Sequence, residues 1–263
     1  MKALSVATPD PLSTLANPVV NLCAFFDLLS QQPRCQLCLQ PGSFGLPLCE
    51  HCHADLPWLT HACPRCAEPL PPAAPGGGLC GRCLHQPGRV QHTRSALRYQ
   101  FPLPALIQQY KERANVPVLR LLARLFCDRF ADGIAEQPPQ LLLPVPLHRG
   151  RLFQRGYNQA AELAYWIGRE LALPQRNDLC RRAQPTPHQQ GLSARQRRHN
   201  LRRAFSAELP AGVARVAIID DVITTGSTVE ALAQALQRSV GKRPLSIEAW
   251  SIARTPLQHS GAR

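Results

Sequence analysis

Two sets of residues in this sequence have types and spacings that can do chemistry. The first is eight cysteines in four Cys-x-x-Cys pairs: Cys35/Cys38, Cys49/Cys52, Cys63/Cys66 and Cys80/Cys83. Such a turn sets two thiolates on one side of a tight loop, and two turns close a tetrahedral cage around Zn²⁺. Disulfide frameworks have varied spacings and belong to exported chains, so repeated pairs of this kind point to metal ligation. The simplest assignment is two sites, one of Cys35, Cys38, Cys49 and Cys52, the other of Cys63, Cys66, Cys80 and Cys83; spacing leaves an interleaved pairing open. Two structural zinc ions are expected, with no coordination position free for catalysis. Removing the metal should unfold so small a module. Cys23, Cys127 and Cys180 stand alone and read as buried thiols.

The second set is Val216-Ala-Ile-Ile-Asp-Asp-Val-Ile-Thr-Thr-Gly-Ser-Thr228. An apolar run reads as a buried strand that delivers Asp220 and Asp221 at its C-terminal end, where ligands sit in open α/β sheets. Thr224, Thr225, Gly226, Ser227 and Thr228 then supply hydroxyls and backbone N–H groups at the start of a helix, an anion nest reinforced by the helix dipole. Capping alone needs one or two hydroxyls; four around one glycine, directly after two aspartates, exceed that need. No G-x-x-x-x-G-K-[ST] is present, which excludes a P-loop NTPase. Gly76 to Gly81 matches G-x-G-x-x-G, but prolines precede it and a cysteine pair overlaps it, so it is no dinucleotide site.

Asp220-Asp221 followed by Thr224 to Thr228 resembles the phosphoribosyl pyrophosphate (PRPP) motif of type I phosphoribosyltransferases. Pro144 to Gln159, with His188, Gln189, Leu192, Ser193, Arg197 and Asn200, resembles the ComF/GntX family of competence-associated proteins. That family joins a cysteine-knuckle N-terminus to a phosphoribosyltransferase-like domain, and the resemblance spans nearly all of residues 33–254. It implies that Asp220 and Asp221 hold ribose hydroxyls, that Thr224, Thr225, Gly226, Ser227 and Thr228 cradle the 5′-phosphate, and that Mg²⁺ comes with PRPP. It also implies a link to DNA uptake or utilisation, with single-stranded DNA and a competence helicase or uptake machinery as partners.

Residues 146–203 carry twelve arginines against Glu162, Glu170 and Asp178. A pyrophosphate needs neutralising, and the arginine fork binds phosphate oxygens in pairs. Arg149 and Arg155, after the apolar run Leu141 to Val145, are placed for this if that run neighbours the Asp220 strand. By resemblance, Leu147 to Gly150 is the pyrophosphate loop. Arg195, Arg197 and Arg198 fall where related transferases carry a mobile loop, so Arg197 is a candidate catalytic group; an exposed basic surface for a nucleic-acid backbone fits equally well. No segment reads as an acceptor site. Transferase and non-catalytic PRPP-sensing, single-stranded-DNA-binding module both stay open.

The elements that must hold these groups follow from periodicity. Residues 1–30 read as a weakly structured leader, 31–90 as a double zinc ribbon rich in Cys, Pro and Gly, and 91–263 as the phosphoribosyltransferase-like domain. Strands are expected near 95–99, 141–145, 213–219 and 245–252, with helices over 103–112, 117–130, 157–171 and 226–238. Their alternation predicts an α/β fold, a parallel sheet flanked by helices. The 263-residue chain has 30 basic and 17 acidic residues, net +13, which favours polyanionic partners. No apolar run approaches the roughly 18 residues of a membrane span, and no secretory pattern is seen, so a cytoplasmic location is expected.

Overall fold

The structure, a computed structural model, describes residues 33–43, 45–72, 78–113, 115–182 and 204–257. It divides into two compact units, Met1–Glu50 and His51–Arg263. In the first, the Cys35 turn is tied by Cys35 N to Gln40 O at 2.8 Å and Gln36 N to Pro47 O at 3.0 Å, beside an antiparallel bridge between Arg34 and Pro41.

In the second unit a four-stranded sheet runs in the order β1 (His92–Arg98), β6 (Ser246–Arg254), β5 (Arg215–Ile223), β2 (Leu141–Pro144), every pair parallel. The expected parallel sheet with flanking helices is thus found. Parallel strands covered on both faces are apolar without interruption, which is why Val216 to Ile219 reads as a plain hydrophobic run. Alternation then divides the sides: Val216, Ile218, Ile247 and Ala249 join Leu232 and Leu236 of a helix in one core cluster. Trp250, one residue on from Ala249, packs against Phe126 with ring centroids 5.5 Å apart and the planes tilted by 38°.

Six helices and a hairpin complete this unit among the described residues, besides the short α1 (Glu50–Ala54) at the boundary: α2 (Gly81–His85), α3 (Leu103–Arg113), α4 (Val116–Ala135), α5 (Arg149–Arg155), α6 (Gln159–Leu171), the antiparallel pair β3 (Cys180–Arg182) and β4 (Phe205–Ala207), and α7 (Ser227–Val240). Asn115 caps α4, its side chain accepting from Val118 N, with Pro117 in the first turn. Asn158 caps α6 the same way through Ala160 N at 3.1 Å.

Besides α1, α2 and the β3–β4 hairpin, which had no counterpart among the expected elements, three elements differ from expectation. The helix predicted to stop at Phe130 continues to Ala135 through Asp132 and Gly133, where Arg94 donates to the Gly133 carbonyl at 3.2 Å. The segment after β2, read as a loop, is the helix α5; His148 Nδ1 accepts from Gly150 N at 3.2 Å and Gly156 closes it at φ 78°. Strand β5 runs past Ile219 to Ile223, because β6 beside it supplies pairing partners to Arg254. No helix among the described residues is long and apolar enough to cross a membrane.

Candidate functional site

Asp220 and Asp221 lie within β5, with Asp220 opposite Ser251 of β6. The chain leaves the strand at Ile223, turns through Thr224 and Thr225, and enters α7 by way of Gly226 at φ 77°. That left-handed conformation suits glycine, since a Cβ there is strained. The Thr225 and Ser227 hydroxyls are hydrogen-bonded at 2.8 Å, and Ser227 N donates to Thr225 Oγ1 at 3.3 Å. Thr224 and Thr225 are exposed; Gly226, Ser227 and Thr228 are half-buried. Of the five predicted residues, Thr224, Thr225 and Gly226 therefore form the turn at the C-terminal end of the sheet, and Ser227 and Thr228 open the helix that follows.

The strand carrying the Leu141–Pro144 run does neighbour β5: Pro144 pairs with Ile219, and Val145 N donates to Ile219 O at 2.9 Å. The segment that leads to α5 thus leaves the sheet next to the strand that carries the two carboxylates. Arg149 opens α5 but its side chain lies outside the described residues, as does the whole of Arg197. Arg155 lines a cavity of about 700 Å³ together with Tyr99, Ile107, Gln108, Lys111 and Tyr157.

Sequence reading missed the groups that surround the aspartates. Lys111 Nζ lies 2.5 Å from Asp221 Oδ2, and Tyr110 Oη donates to the same oxygen at 2.8 Å. Tyr110 is only 1% exposed, and its carbonyl accepts the Tyr157 hydroxyl. Burial, then the Asp221 carboxylate, raise the Tyr110 phenol well above its ordinary value, so it stays a donor. Burial, and next the Asp221 charge, likewise hold Asp220 well above the usual carboxylate range. Arg182 of β3 is near enough to feel both Asp220 and Arg151: burial and then Arg151 lower its pKa while Asp220 opposes them. One signal was available for Lys111, which is one of three lysines in a chain whose cations are otherwise arginines.

The cysteines resolve into two sets whose ligand atoms lie within 4.8 Å of one another, Cys35, Cys38, Cys49 and Cys52, and Cys63, Cys66, Cys80 and Cys83. The pairing is sequential, not interleaved. Cys38 and Cys49 sulfurs are 3.6 Å apart, as are Cys66 and Cys80; a tetrahedral Zn–S bond of about 2.3 Å gives edges of about 3.8 Å. The donor set therefore fits structural zinc twice. Burial raises the Cys35 thiol, but the backbone N–H groups of Cys49, Cys38 and Leu37 outweigh it and bring it down to about 6, the thiolate that ligation needs. Cys127 and Cys180 are buried as expected, both pushed up by burial to about 12; Cys23 lies outside the described residues.

Two Cys₄ groups and a helix-flanked parallel sheet define a zinc-ribbon α/β protein, and residues 27–84 match the double zinc ribbon domain. Competence protein F of Haemophilus influenzae is 35% identical over 218 residues, 80% of this chain and 86% of that one. DNA utilization protein YhgH of Salmonella typhimurium is 34% identical over 232 residues, 84% of this chain and 96% of that one. The chain belongs to their family, ComF/GntX. A solved purine phosphoribosyltransferase from Pyrococcus horikoshii also matches, at 14% identity over 52% of this chain and 88% of that one, with a TM-score of 0.28, a likeness too distant to build on.

Proposed function

We propose that this chain binds PRPP with Mg²⁺ at the Asp220–Thr228 turn, as a phosphoribosyltransferase-like protein serving DNA uptake or utilisation. The observation that carries the reading is the convergence of unlike groups at one sheet end: two adjacent carboxylates, a hydroxylated turn at a helix N-terminus, and the cations Lys111 and Arg155 around the cavity. Asp220 and Asp221 would accept from ribose hydroxyls. The amides and hydroxyls of Thr224 to Thr228 would take the 5′-phosphate. Lys111 and Arg155, with Arg149 at the start of α5, would face the pyrophosphate. Two carboxylates do not make a cage for a free cation, and Mg²⁺ keeps several waters and uses ligand phosphates, so it would be held jointly by protein and PRPP. When bound, the metal would supply charge neutralisation on the pyrophosphate. The names of the relatives, competence protein F and DNA utilization protein YhgH, support the DNA context.

If a group is transferred, the C1′–O bond to pyrophosphate breaks and a bond from C1′ to an acceptor forms, positioning and charge doing most of the work. The 700 Å³ cavity lined by Lys111, the partner of Asp221, would offer an acceptor room to enter. Exchange measurements test the site: PRPP with Mg²⁺ should protect the amides of residues 224–229, and no protection there would remove the reading. Release of pyrophosphate above the blank with some base or amine would make it a transferase.

One observation favours a second reading, a PRPP-sensing module that handles single-stranded DNA. Phe153 is 93% exposed on α5, a helix that also carries the exposed Arg151 and Arg155, so an aromatic for base stacking and cations for the backbone stand on one short exposed element. Oligonucleotide binding that falls steeply with salt and weakens in Phe153→Ala would support it.

A further inference from the structure

The second zinc ribbon and the hydroxylated turn share two guanidinium groups. Arg254, at the end of β6, is fully buried. Its Nε donates to the Cys66 carbonyl at 3.0 Å and Nη2 to Glu68 Oε2 at 2.6 Å. Nη1 donates to the carbonyls of Ile223, at 3.2 Å, and of Thr224 and Thr255. Arg82, between Cys80 and Cys83, donates to the Thr225 carbonyl at 2.9 Å. Beyond the turn, Glu230 of α7 accepts the Arg89 backbone N–H with both carboxylate oxygens at 3.0 Å.

Three successive carbonyls, of Ile223, Thr224 and Thr225, are thus turned toward the ribbon side. In a planar trans peptide the C=O of one residue and the N–H of the next point opposite ways. The amides of Thr224, Thr225 and Gly226 therefore face away from the ribbon.

We propose that the second zinc ribbon is the positioning element of the phosphate turn, with Arg254 and Arg82 fixing the three carbonyls so that the opposed amides are aimed before an anion arrives. The proposal rests on reading the turn as a phosphate site. Donors fixed in advance cost no reorganisation when the ligand binds. The metal matters because α2 has five residues, too few to hold itself as a helix. The Cys₄ cage is what keeps Arg82 and the Cys66 carbonyl in place. A ribbon without zinc would let the turn go slack while β5 and α7 stay folded.

Arg82 is exposed, so its removal spares the core. In the full-length zinc-loaded protein, Arg82→Ala should speed amide exchange at residues 224–228 about tenfold and weaken PRPP binding in Mg²⁺ about tenfold, the loss of one charge-assisted bond. Arg82 also hydrogen-bonds the Cys66 side chain, so the comparison is made at equal zinc content, measured on each variant. Arg82→Lys should restore most of both. Arg34→Ala, which removes a charge from the first ribbon, should alter neither. Glu68→Gln, which loosens Arg254 from the other side, should reproduce the exchange effect. Unchanged exchange and affinity in Arg82→Ala would overturn the proposal. If the unmodified protein fails to bind PRPP, the ligand assignment falls, and the exchange comparison alone still decides whether the ribbon positions the turn.

Discussion

Lys111, which lines the cavity, lies 2.5 Å from Asp221 and so joins α3 to β5. It neutralises one of two adjacent carboxylates, and the pair is largely shielded, the side chains 30% and 13% exposed. If ribose hydroxyls and Mg²⁺ take over Asp221, the ammonium is released toward the pyrophosphate. Lys111→Met should therefore weaken PRPP binding by about tenfold or more, the loss of a charge-assisted contact, as read by calorimetry. Tighter binding would mean that Lys111 only competes for Asp221.

Asp220 should make stability depend on pH in an unusual direction. Burial and the Asp221 charge raise its folded-state pKa, so the folded chain keeps a proton that the unfolded chain has lost. This contribution is complete below about pH 4, the ordinary carboxylate value, and is lost as pH rises through the folded value. Asp220→Asn should raise Tm at about pH 7 to 8 and melt like the unmodified protein near pH 4. A gap that widens as pH falls would contradict this.

Zinc analysis should find two ions per chain, one for each Cys₄ set. A strong chelator should lower Tm, because metal binding is the folding energy of such ribbons. A chain with one ion, or with none and an unchanged Tm, would refute the assignment.

Arg254 and Glu68 form an ion pair at 2.6 Å with both side chains at most 5% exposed. Arg254→Met leaves a buried carboxylate unpaired and should destabilise by about 3–5 kcal/mol. Adding Glu68→Gln should recover part of that loss in denaturant unfolding, which distinguishes an unpaired charge from lost packing.

What the sequence made legible was local. Cys-x-x-Cys spacing marks ligands because each pair sits in one turn. Val216 to Thr228 could be read because strand, carboxylates and hydroxylated turn are contiguous. Strand alternation predicted a parallel sheet but not its order, so the pairing of β2 with β5 entered the sequence reading only as a condition. The rest depends on contacts between distant segments: Tyr110 and Lys111 meet Asp221 over 111 and 110 positions, and Arg254 meets Glu68 over 186. No periodicity records such a meeting. The helix α5 was missed because its cap is an imidazole nitrogen, outside the Ser, Thr, Asp and Asn set that marks most helix starts; Gly156 was the readable sign of its end.

The measurement that bears most directly on the central claim is a calorimetric titration of PRPP, with and without Mg²⁺, into the unmodified chain and into Asp220→Asn/Asp221→Asn. Saturable, Mg²⁺-dependent binding at one site per chain is expected, and none in the double variant. No binding by the unmodified chain, or equal binding by both, would contradict the account.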